Sequence, residues 1–408
     1  MLVQFSVENF LSFKSKATLS LEAESIRELR RESIHAKANH NLLKSIAIKG
    51  KNASGKSNFL KAMAFFKTII LTSQENSSGA IPVQPFILDK NSSIKNTLME
   101  ALFIIDGIKY QYGFELNRHE IVSEWLFAIE KREEVYFTRA GAEFRFSKKF
   151  KTEIRNRYEM ISGMLNPTTL FLSQLSLFKD QMAQLIIYWV KSIIIINDTD
   201  IDDLMNFTAA LMYKGNFNTE VCALFKESEI NISSFEDEVN AKIGVHGEKY
   251  RTIINLWYEE EIKRRDIKTR HVTYNNEKPD GYILLDLRSQ ESSGTQKLFA
   301  LAGPILLSLK EGRLILIDEI DSKFHFDLLN MLIRKFNSIA NQNGAQLIFS
   351  SHNTTTLNPQ KSRLRRDQFY FVEMTKYGES SIESMYSKDP TIRHDSAIQK
   401  NLEQGNLF

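Results

Sequence analysis

A chain of 408 residues with 42% hydrophobic and 25% charged residues, including 28 Phe, carries enough apolar matter for a large core and two or three structural units, which excludes a disordered polymer. Its 53 Lys plus Arg stand against 50 Asp plus Glu, a formal charge of +3, so bulk charge does not argue for nucleic acid and any DNA contact must be a local patch. The single Cys222 excludes an intrachain disulfide framework and fits a structural thiol in a reducing, cytoplasmic setting.

From the N-terminus, Met1 to Glu8 alternates apolar and polar residues like a strand, without the basic and apolar blocks of an export signal. Further strands are expected at Ala17 to Leu21, Met99 to Ile105, Ile108 to Leu116 and Glu134 to Thr138, with Asp106-Gly107 as a hairpin turn and Ser73 to Gly79 as a loop. Three-to-four residue apolar spacing predicts helices over Phe150 to Met164, Phe178 to Val190, Ile201 to Tyr213, Thr219 to Lys226 and Tyr250 to Arg265. The most apolar segment, Leu185 to Ile196, is broken by Lys191 and too short to span a bilayer; it reads as a helix end followed by a strand, and no membrane role is expected. Strand character returns at Lys268 to Tyr274 and Tyr282 to Leu287. The expected organisation is an α/β domain formed by residues 1–150 and 270–408, interrupted by a helical lobe at 151–269.

The chemistry begins at Gly50-Lys51-Asn52-Ala53-Ser54-Gly55-Lys56-Ser57, which fits the phosphate-loop pattern G-x-x-x-x-G-K-[ST] at every fixed position. Ser45 to Lys49 before it is a short strand-like run and Asn58 to Phe66 after it is helix-like, which is the context the pattern requires. The glycines let backbone amides and the positive end of the following helix face an anion. Lys56 is expected to reach the β and γ phosphates and Ser57 to supply a hydroxyl to Mg²⁺, which implies ATP or GTP with Mg²⁺. Downstream, Arg313-Leu314-Ile315-Leu316-Ile317-Asp318-Glu319 is an apolar run ending in two carboxylates, the pattern of a strand buried on both faces. Asp318 would then sit at the carboxyl edge of a parallel sheet to hold Mg²⁺, with Glu319 next to it to orient or deprotonate the attacking water.

Two more segments resemble parts of ABC-type ATPases. Ser292-Ser293-Gly294-Thr295-Gln296 resembles their signature motif, and Gln346-Leu347-Ile348-Phe349-Ser350-Ser351-His352 resembles the strand that ends in their switch histidine. Asp321 falls where the D-loop aspartate of that family does. The order of these pieces is similar to that of AAA-family ATPases with an ABC fold, related to RecF, SMC and OLD proteins, and among them to the RloA or AbiL abortive-infection group and to the PtuA and AriA defence ATPases. Local traits of the resemblance are Asn9-Phe10-Leu11-Ser12-Phe13-Lys14, Pro85-Phe86-Ile87-Leu88-Asp89, Tyr112 to Leu116, Glu124-Trp125-Leu126 and Arg366 to Glu373. The resemblance implies an ATP- and Mg²⁺-dependent ATPase whose head combines a mixed sheet around the phosphate loop with an antiparallel β subdomain. Asn52, Ala53, Ser54, Gly55, Lys56, Ser57 and Asn58 of one chain, with Asp318, Glu319 and His352, would face Ser293, Gly294, Gln296 and Asp321 of a second copy, in a dimer or higher oligomer. It also implies a separate effector protein such as a nuclease and a role in antiviral defence; the rival is a repair ATPase that binds DNA. The family's Q-loop glutamine is not fixed by spacing: Gln174 is the first choice and Gln84 the second. Where the family has Leu-His-Pro, this chain has Phe324-His325-Phe326, which assigns His325 no role.

Other features receive plainer readings. Asp198, Asp200, Asp202 and Asp203 fail the calcium-loop template and read as a turn and helix start. The basic runs Lys361 to Arg366 and Lys263 to Arg270 read first as solvated faces, with a nucleic-acid patch as the alternative. His35 and His40 have no third ligand nearby for zinc.

Overall fold

The structure is a computed structural model that describes residues 1–37, 40–75, 79–130, 132–197, 201–215, 217–239, 265–323, 326–352 and 364–388. The strands are β1 (Leu2–Glu8), β2 (Ala17–Ser20), β3 (Ile34–Lys37), β4 (His40–Leu43), β5 (Ser45–Lys49), β6 (Thr97–Ile105), β7 (Ile108–Leu116), β8 (Ile121–Ile129), β9 (Glu133–Ala140), β10 (Glu143–Phe146), β11 (Ile194–Ile196), β12 (Ser234–Val239), β13 (Arg265–Asn275), β14 (Lys278–Asp286), β15 (Leu314–Ile317), β16 (Gln346–Ser350), β17 (Phe369–Met374) and β18 (Ser380–Ser384). The helices are α1 (Arg30–Ser33), α2 (Lys56–Thr72), α3 (Thr152–Gly163), α4 (Phe171–Leu177), α5 (Gln181–Ser192), α6 (Ile201–Gly215), α7 (Asn218–Glu227), α8 (Ser293–Glu311), α9 (Ile320–Lys323), α10 (Phe326–Phe336) and α11 (Met385–Lys388).

Two sheets organise the fold. The antiparallel one runs β10-β9-β8-β7-β6-β1-β2, and its β6–β7 hairpin turns through Asp106 and Gly107, both at positive φ, as the Asp-Gly pair predicts. The mixed one runs β11-β15-β16-β5-β17-β18, parallel from β11 to β17 and antiparallel only at β18. A parallel sheet must be covered on both faces, and the side chains alternate accordingly. Ile46, Ile48, Leu314, Leu316 and Ile348 point into one core, with α2 and the antiparallel sheet. Ala47, Ile315, Ile317, Leu347 and Phe349 point into the other, with α6, α8 and α10. Helix α2 is the shared layer: Phe59 and Phe66 meet Phe5 at 5.7 and 5.5 Å, and Phe66 stacks on Phe114 at 5.5 Å. Gln346, fully buried, joins the sheets by accepting from the Leu2 amide (2.7 Å) and donating to the Leu2 carbonyl (3.0 Å).

The expected span 151–269 contributes more than helices. Its α3, α4 and α5 pack into the core of the antiparallel sheet, and β11 joins the mixed sheet as the edge strand beside β15. Arg265, placed at a helix end from the sequence, opens β13, because the antiparallel trio β12-β13-β14 claims the segment; Tyr250 to Lys263 lie outside the described residues. No helix among the described residues is long and apolar enough to cross a membrane.

The basic run near residue 365 differs from its solvated reading. Lys361 to Arg363 lie outside the described residues, while Arg365 is fully buried. Its guanidinium holds Asp367 through two bonds (2.9 and 2.7 Å) and donates to the carbonyls of Glu24, Ile26 and Glu28. Arg366 pairs with Glu28 at 3.1 Å. Five guanidinium donors find five fixed acceptors, which a lysine could not match. From Lys263 to Arg270, the described Arg265 is buried over Tyr213 and Arg270 pairs with Glu236. Arg365→Ala strips Asp367 and three carbonyls of their partner and is expected to cost about 3–5 kcal/mol, read as a lowered urea midpoint; a midpoint equal to that of the parent would refute the structural role.

Candidate functional site

The site lies at the carboxyl edge of the parallel strands. β5 delivers the chain into the phosphate loop and α2 carries it away. Asn52 and Ala53 are exposed at the tip, Ser54, Gly55 and Lys56 are buried, and Ser57 and Asn58 are half-buried. Ala53 and Gly55 have φ of 61° and 110°, so the backbone turns through the left-handed region twice in three residues. Neighbours clamp this loop closely. A Cβ on Gly50 would stand 2.3 Å from the Val372 carbonyl, and one on Gly55 would stand 2.3 Å from Ser380 Oγ and 2.8 Å from Ser12 Oγ. Ser380 Oγ donates to the Ser54 carbonyl (2.7 Å) and its amide to the Ser12 carbonyl (2.7 Å), while Asn58 Nδ2 donates to Ser12 Oγ (2.9 Å). The loop is therefore held from outside by β18 and by the turn after β1.

Lys56 Nζ donates to the carbonyls of Gly50 (2.8 Å) and Lys51 (2.9 Å), lying across the mouth of its own loop. Burial lowers its pKa, while Asp318, Glu319 and Asp321 act the other way and favour the ammonium. Those carboxylates come from the end of β15. The Asp318 amide donates to the Ile196 carbonyl (2.9 Å), so β11 fixes the place where the strand stops. Asp318 Oδ1 accepts from Ser350 Oγ, at the end of β16. The Glu319 amide donates to Ser350 Oγ (2.8 Å) and to Asp318 Oδ1 (3.1 Å), and its φ of 46° is a left-handed conformation that costs a non-glycine residue about 1 kcal/mol or more. That turn swings the Glu319 carboxylate outwards, where Oε1 lies 3.2 Å from His352 Nε2. Asp321 Oδ2 accepts from the His352 amide at 2.9 Å. Lys56, Asp318, Glu319, Asp321 and His352 thus meet at one sheet edge.

The other residues expected at the site stand apart from this cluster. Ser292 caps α8 by accepting from the Thr295 amide (3.2 Å); Ser293 and Gly294 begin the helix fully exposed, with amides at its positive end. The Gln296 side-chain nitrogen is committed to the carbonyls of Arg288 (2.9 Å) and Glu291 (3.0 Å), so it braces the loop before α8. Lys297 Nζ reaches the Ser322 carbonyl (2.9 Å), tying the start of α8 to the turn that carries Asp321.

Gln174 sits on α4, beside Ser173 whose Oγ donates to the Ile70 carbonyl (2.6 Å) near the far end of α2. Fourteen helical residues separate Lys56 from Ile70, about 21 Å at 1.5 Å each, and the structure does not bring Gln174 to the loop. Gln84 is nearer: its carbonyl accepts from Leu11 (2.8 Å), next to Ser12. The Asp198 to Asp203 segment shows the plainer reading where described, with Asp202 and Asp203 in the first turn of α6 and Asp202 paired to Arg288 (2.9 Å); Asp198, Asp200 and His325 lie outside the described residues. Among the described residues no group of three or more His, Cys, Asp or Glu could hold a metal ion on its own. The residues that would hold Mg²⁺ are Ser57 and Asp318, a hydroxyl and a carboxylate of the hard-oxygen kind that binds it together with phosphate oxygens.

Sequence reasoning passed over Lys49, Ser350 and Ser351. Lys49, at the end of a buried strand whose middle is Ile46-Ala47-Ile48, is 3% exposed and donates to Ser351 Oγ at 2.7 Å. A charged residue inside a core strand directly before Gly50 was the available signal.

Over residues 45–163 and 258–358, more than half of the chain, the sequence matches the family described as AAA domain, putative AbiEii toxin, Type IV TA system. The chain belongs to this family of AAA domains. No protein of curated function matches it in sequence. Similar solved structures include the SMC head domain from Thermotoga maritima (16% identity, 94% of this chain and 98% of that chain, TM-score 0.42). Others are an SmcHead bound to the C-winged helix domain of ScpA (14%, 94% and 97%, TM-score 0.45) and the Pyrococcus furiosus Smc head with an extended coiled coil bound to the C-terminal domain of ScpA (13%, 99% and 99%, TM-score 0.41).

For this AAA-domain chain the clamp around the phosphate loop has a direct consequence. Gly55→Ala adds a Cβ at φ 110° against two serine hydroxyls; ATP affinity is expected to fall more than about tenfold, with a loss of about 1–3 kcal/mol in stability. Titration with a fluorescent ATP analogue beside a thermal melt checks both, and unchanged affinity would show that the loop tolerates reshaping.

Proposed function

We propose that the chain binds and hydrolyses ATP with Mg²⁺, and that two copies close head to tail over two nucleotides. In this reading Lys56, Ser57 and Asp318 hold Mg-ATP, which supplies the scissile γ-phosphate and a divalent positive charge. Glu319, with Oε1 engaged by His352, leaves Oε2 to orient a water and take its proton. The backbone amides from Asn52 to Asn58 face the phosphates. The observation that carries the reading is the convergence of Lys56, Asp318, Glu319 and His352 at the carboxyl edge of a parallel sheet.

Trans engagement draws support from a second arrangement. Ser293 and Gly294 offer an exposed helix N-terminus, and the Lys297–Ser322 bond ties that helix start to the turn that carries Asp321. A second copy would grip the γ-phosphate with these groups, so the oligomer is a dimer or a higher assembly of dimers. Gln296 would act through its loop rather than on the nucleotide, and Gln174 would serve α4. Membership of a family named for an abortive-infection toxin favours a place in an antiviral system. The ATPase would restrain or release a separate effector such as a nuclease, with 151–269 as the region to search for its contact. The rival, a DNA repair ATPase, draws little from the described part of its basic run, since Arg365 is buried and Arg366 is paired with Glu28.

Glu319→Gln is expected to keep ATP binding within a few-fold of the parent while hydrolysis falls about 10²- to 10⁴-fold, the range for a lost general base. Parental turnover in that variant, measured by phosphate release, would remove Glu319 from the reaction. Specific activity should also fall on dilution below the dimer dissociation constant; a flat profile down to a concentration shown by light scattering to be monomeric would reject the shared site.

A further inference from the structure

We propose that Lys49 is a positioning residue of the hydrolytic half of this site, a buried amine that holds the Ser351–His352 segment, and through it the Asp321 turn, in register with the phosphate loop. The inference rests on the ATPase reading above and adds a residue to it.

Lys49 closes β5, the strand that pairs on one side with β16 and on the other with β17, opposite Phe371. It is buried, and Ser351, whose Oγ it reaches at 2.7 Å, is fully buried. The Ser351 amide donates to the Ile48 carbonyl (3.1 Å), so β5 and the end of β16 are joined by one backbone bond and one ammonium bond at adjacent positions. The next residue, His352, gives its amide to Asp321 (2.9 Å) and meets Glu319 (3.2 Å) through its ring. A buried ammonium is retained only where opposite charge and acceptors surround it. Here burial pulls its pKa down to about 7; Asp321 favours the charged form and Lys56 opposes it. Lys49 thus bonds Ser351 on the exit of β16, and the next residue, His352, bonds Asp321 on the turn after β15. Among the described residues the titratable groups named at this edge are Lys49, Lys56, Asp318, Glu319, Asp321 and His352.

Removing the ammonium has separable consequences. The phosphate loop is clamped by Ser380 and Ser12 through bonds of their own to Ser54 and Asn58, so nucleotide affinity should survive. The direction of Glu319 depends on His352, whose position depends on Asp321 and Ser351, so turnover should not survive.

The test measures ATP affinity, kcat and thermal midpoint for Lys49→Met, Lys49→Arg, Ser351→Ala and the Lys49→Met/Ser351→Ala double variant, in the full chain, beside Glu319→Gln. Lys49→Met is expected to bind ATP within about threefold of the parent and to lose about 10- to 100-fold in kcat. Its thermal midpoint should be equal or higher, because a buried charge has been replaced by an apolar chain of similar length. Lys49→Arg should recover part of the lost kcat, and the double variant should lose little more than Lys49→Met alone, because both changes break the same contact. Three results would overturn the proposal: kcat within twofold of the parent in Lys49→Met, a loss confined to thermal stability, or fully additive losses in the double variant. If Lys49→Met does not fold, Ser351→Ala and Lys49→Arg decide by the same kcat criterion. A parent without ATP hydrolysis would overturn both readings, whereas a slow Glu319→Gln beside an unimpaired Lys49→Met would overturn this one alone.

Discussion

Parallel pairing at the centre of the mixed sheet is the constraint on which the site depends. Because β5 runs parallel to both β16 and β17, and β16 runs parallel to β15, four chain exits emerge on the same edge. Residues far apart in sequence, Lys56 after β5, Asp318 after β15 and His352 after β16, become neighbours without any loop having to travel. The strands can hold this arrangement only because both faces are buried, with Ile46 and Ile48 in one core and Ala47 between them in the other. An antiparallel insertion anywhere among these strands would send one exit to the opposite edge.

Gathering exits also gathers charge, and the edge balances it locally. Three carboxylates face Lys56 and favour its ammonium against burial. Asp318 is further held by Ser350, and Glu319 spends its amide on the same serine hydroxyl, so one short side chain at the end of β16 fixes both acids of β15. The left-handed φ of Glu319 is the visible cost of turning its carboxylate away from the strand and towards His352. The loop is shaped partly by its own bonds, from Lys56 Nζ to the Gly50 and Lys51 carbonyls. It is fixed by Ser12, Val372 and Ser380, so the antiparallel sheet's first turn and the last hairpin of the mixed sheet act together on the phosphate loop.

Elements whose information is local were legible in the sequence. Ile108–Leu116 follows its alternation and the Asp-Gly turn follows its glycine, while the phosphate loop and the acidic end of β15 carry patterns that need no partner to be read. Local fragments that looked like family traits prove to be halves of contacts. Asn9 Oδ1 accepts from Phe86 (3.1 Å), Lys14 meets Asp89 (2.6 Å), and Glu124 accepts from Tyr112 (2.9 Å) and from the Phe171 and Leu172 amides that open α4. Features that depend on the other half stayed hidden. Arg365 read as part of a basic run because its acceptors, the Glu24, Ile26 and Glu28 carbonyls, lie more than 300 residues away in sequence. Lys49 read as the tail of a strand because Ser351 reaches it only through the β5–β16 pairing. Gln174 carried no pattern of its own, and its helix is placed by α2 and Glu124 rather than by the phosphate loop.

The same logic bears on why a single copy leaves the proposed chemistry incomplete. Within the chain Lys56 bonds the Gly50 and Lys51 carbonyls of its own loop and is faced by the carboxylates that follow β15. The exposed amides at the start of α8 are the only signature-like donors named from the sequence, and they begin from an exposed cap at Ser292. Lys297 fastens that cap to the Ser322 carbonyl, one residue beyond Asp321, and the Asp321 carboxylate in turn holds the His352 amide. A partner's phosphate settling on the α8 cap would therefore pull on a chain of bonds that ends at this copy's own His352 and Glu319. On the proposed reading, occupancy of one site would bear on the other through these hydrogen bonds, and the bond from buried Lys49 to Ser351 is what would hold the His352 segment against that pull.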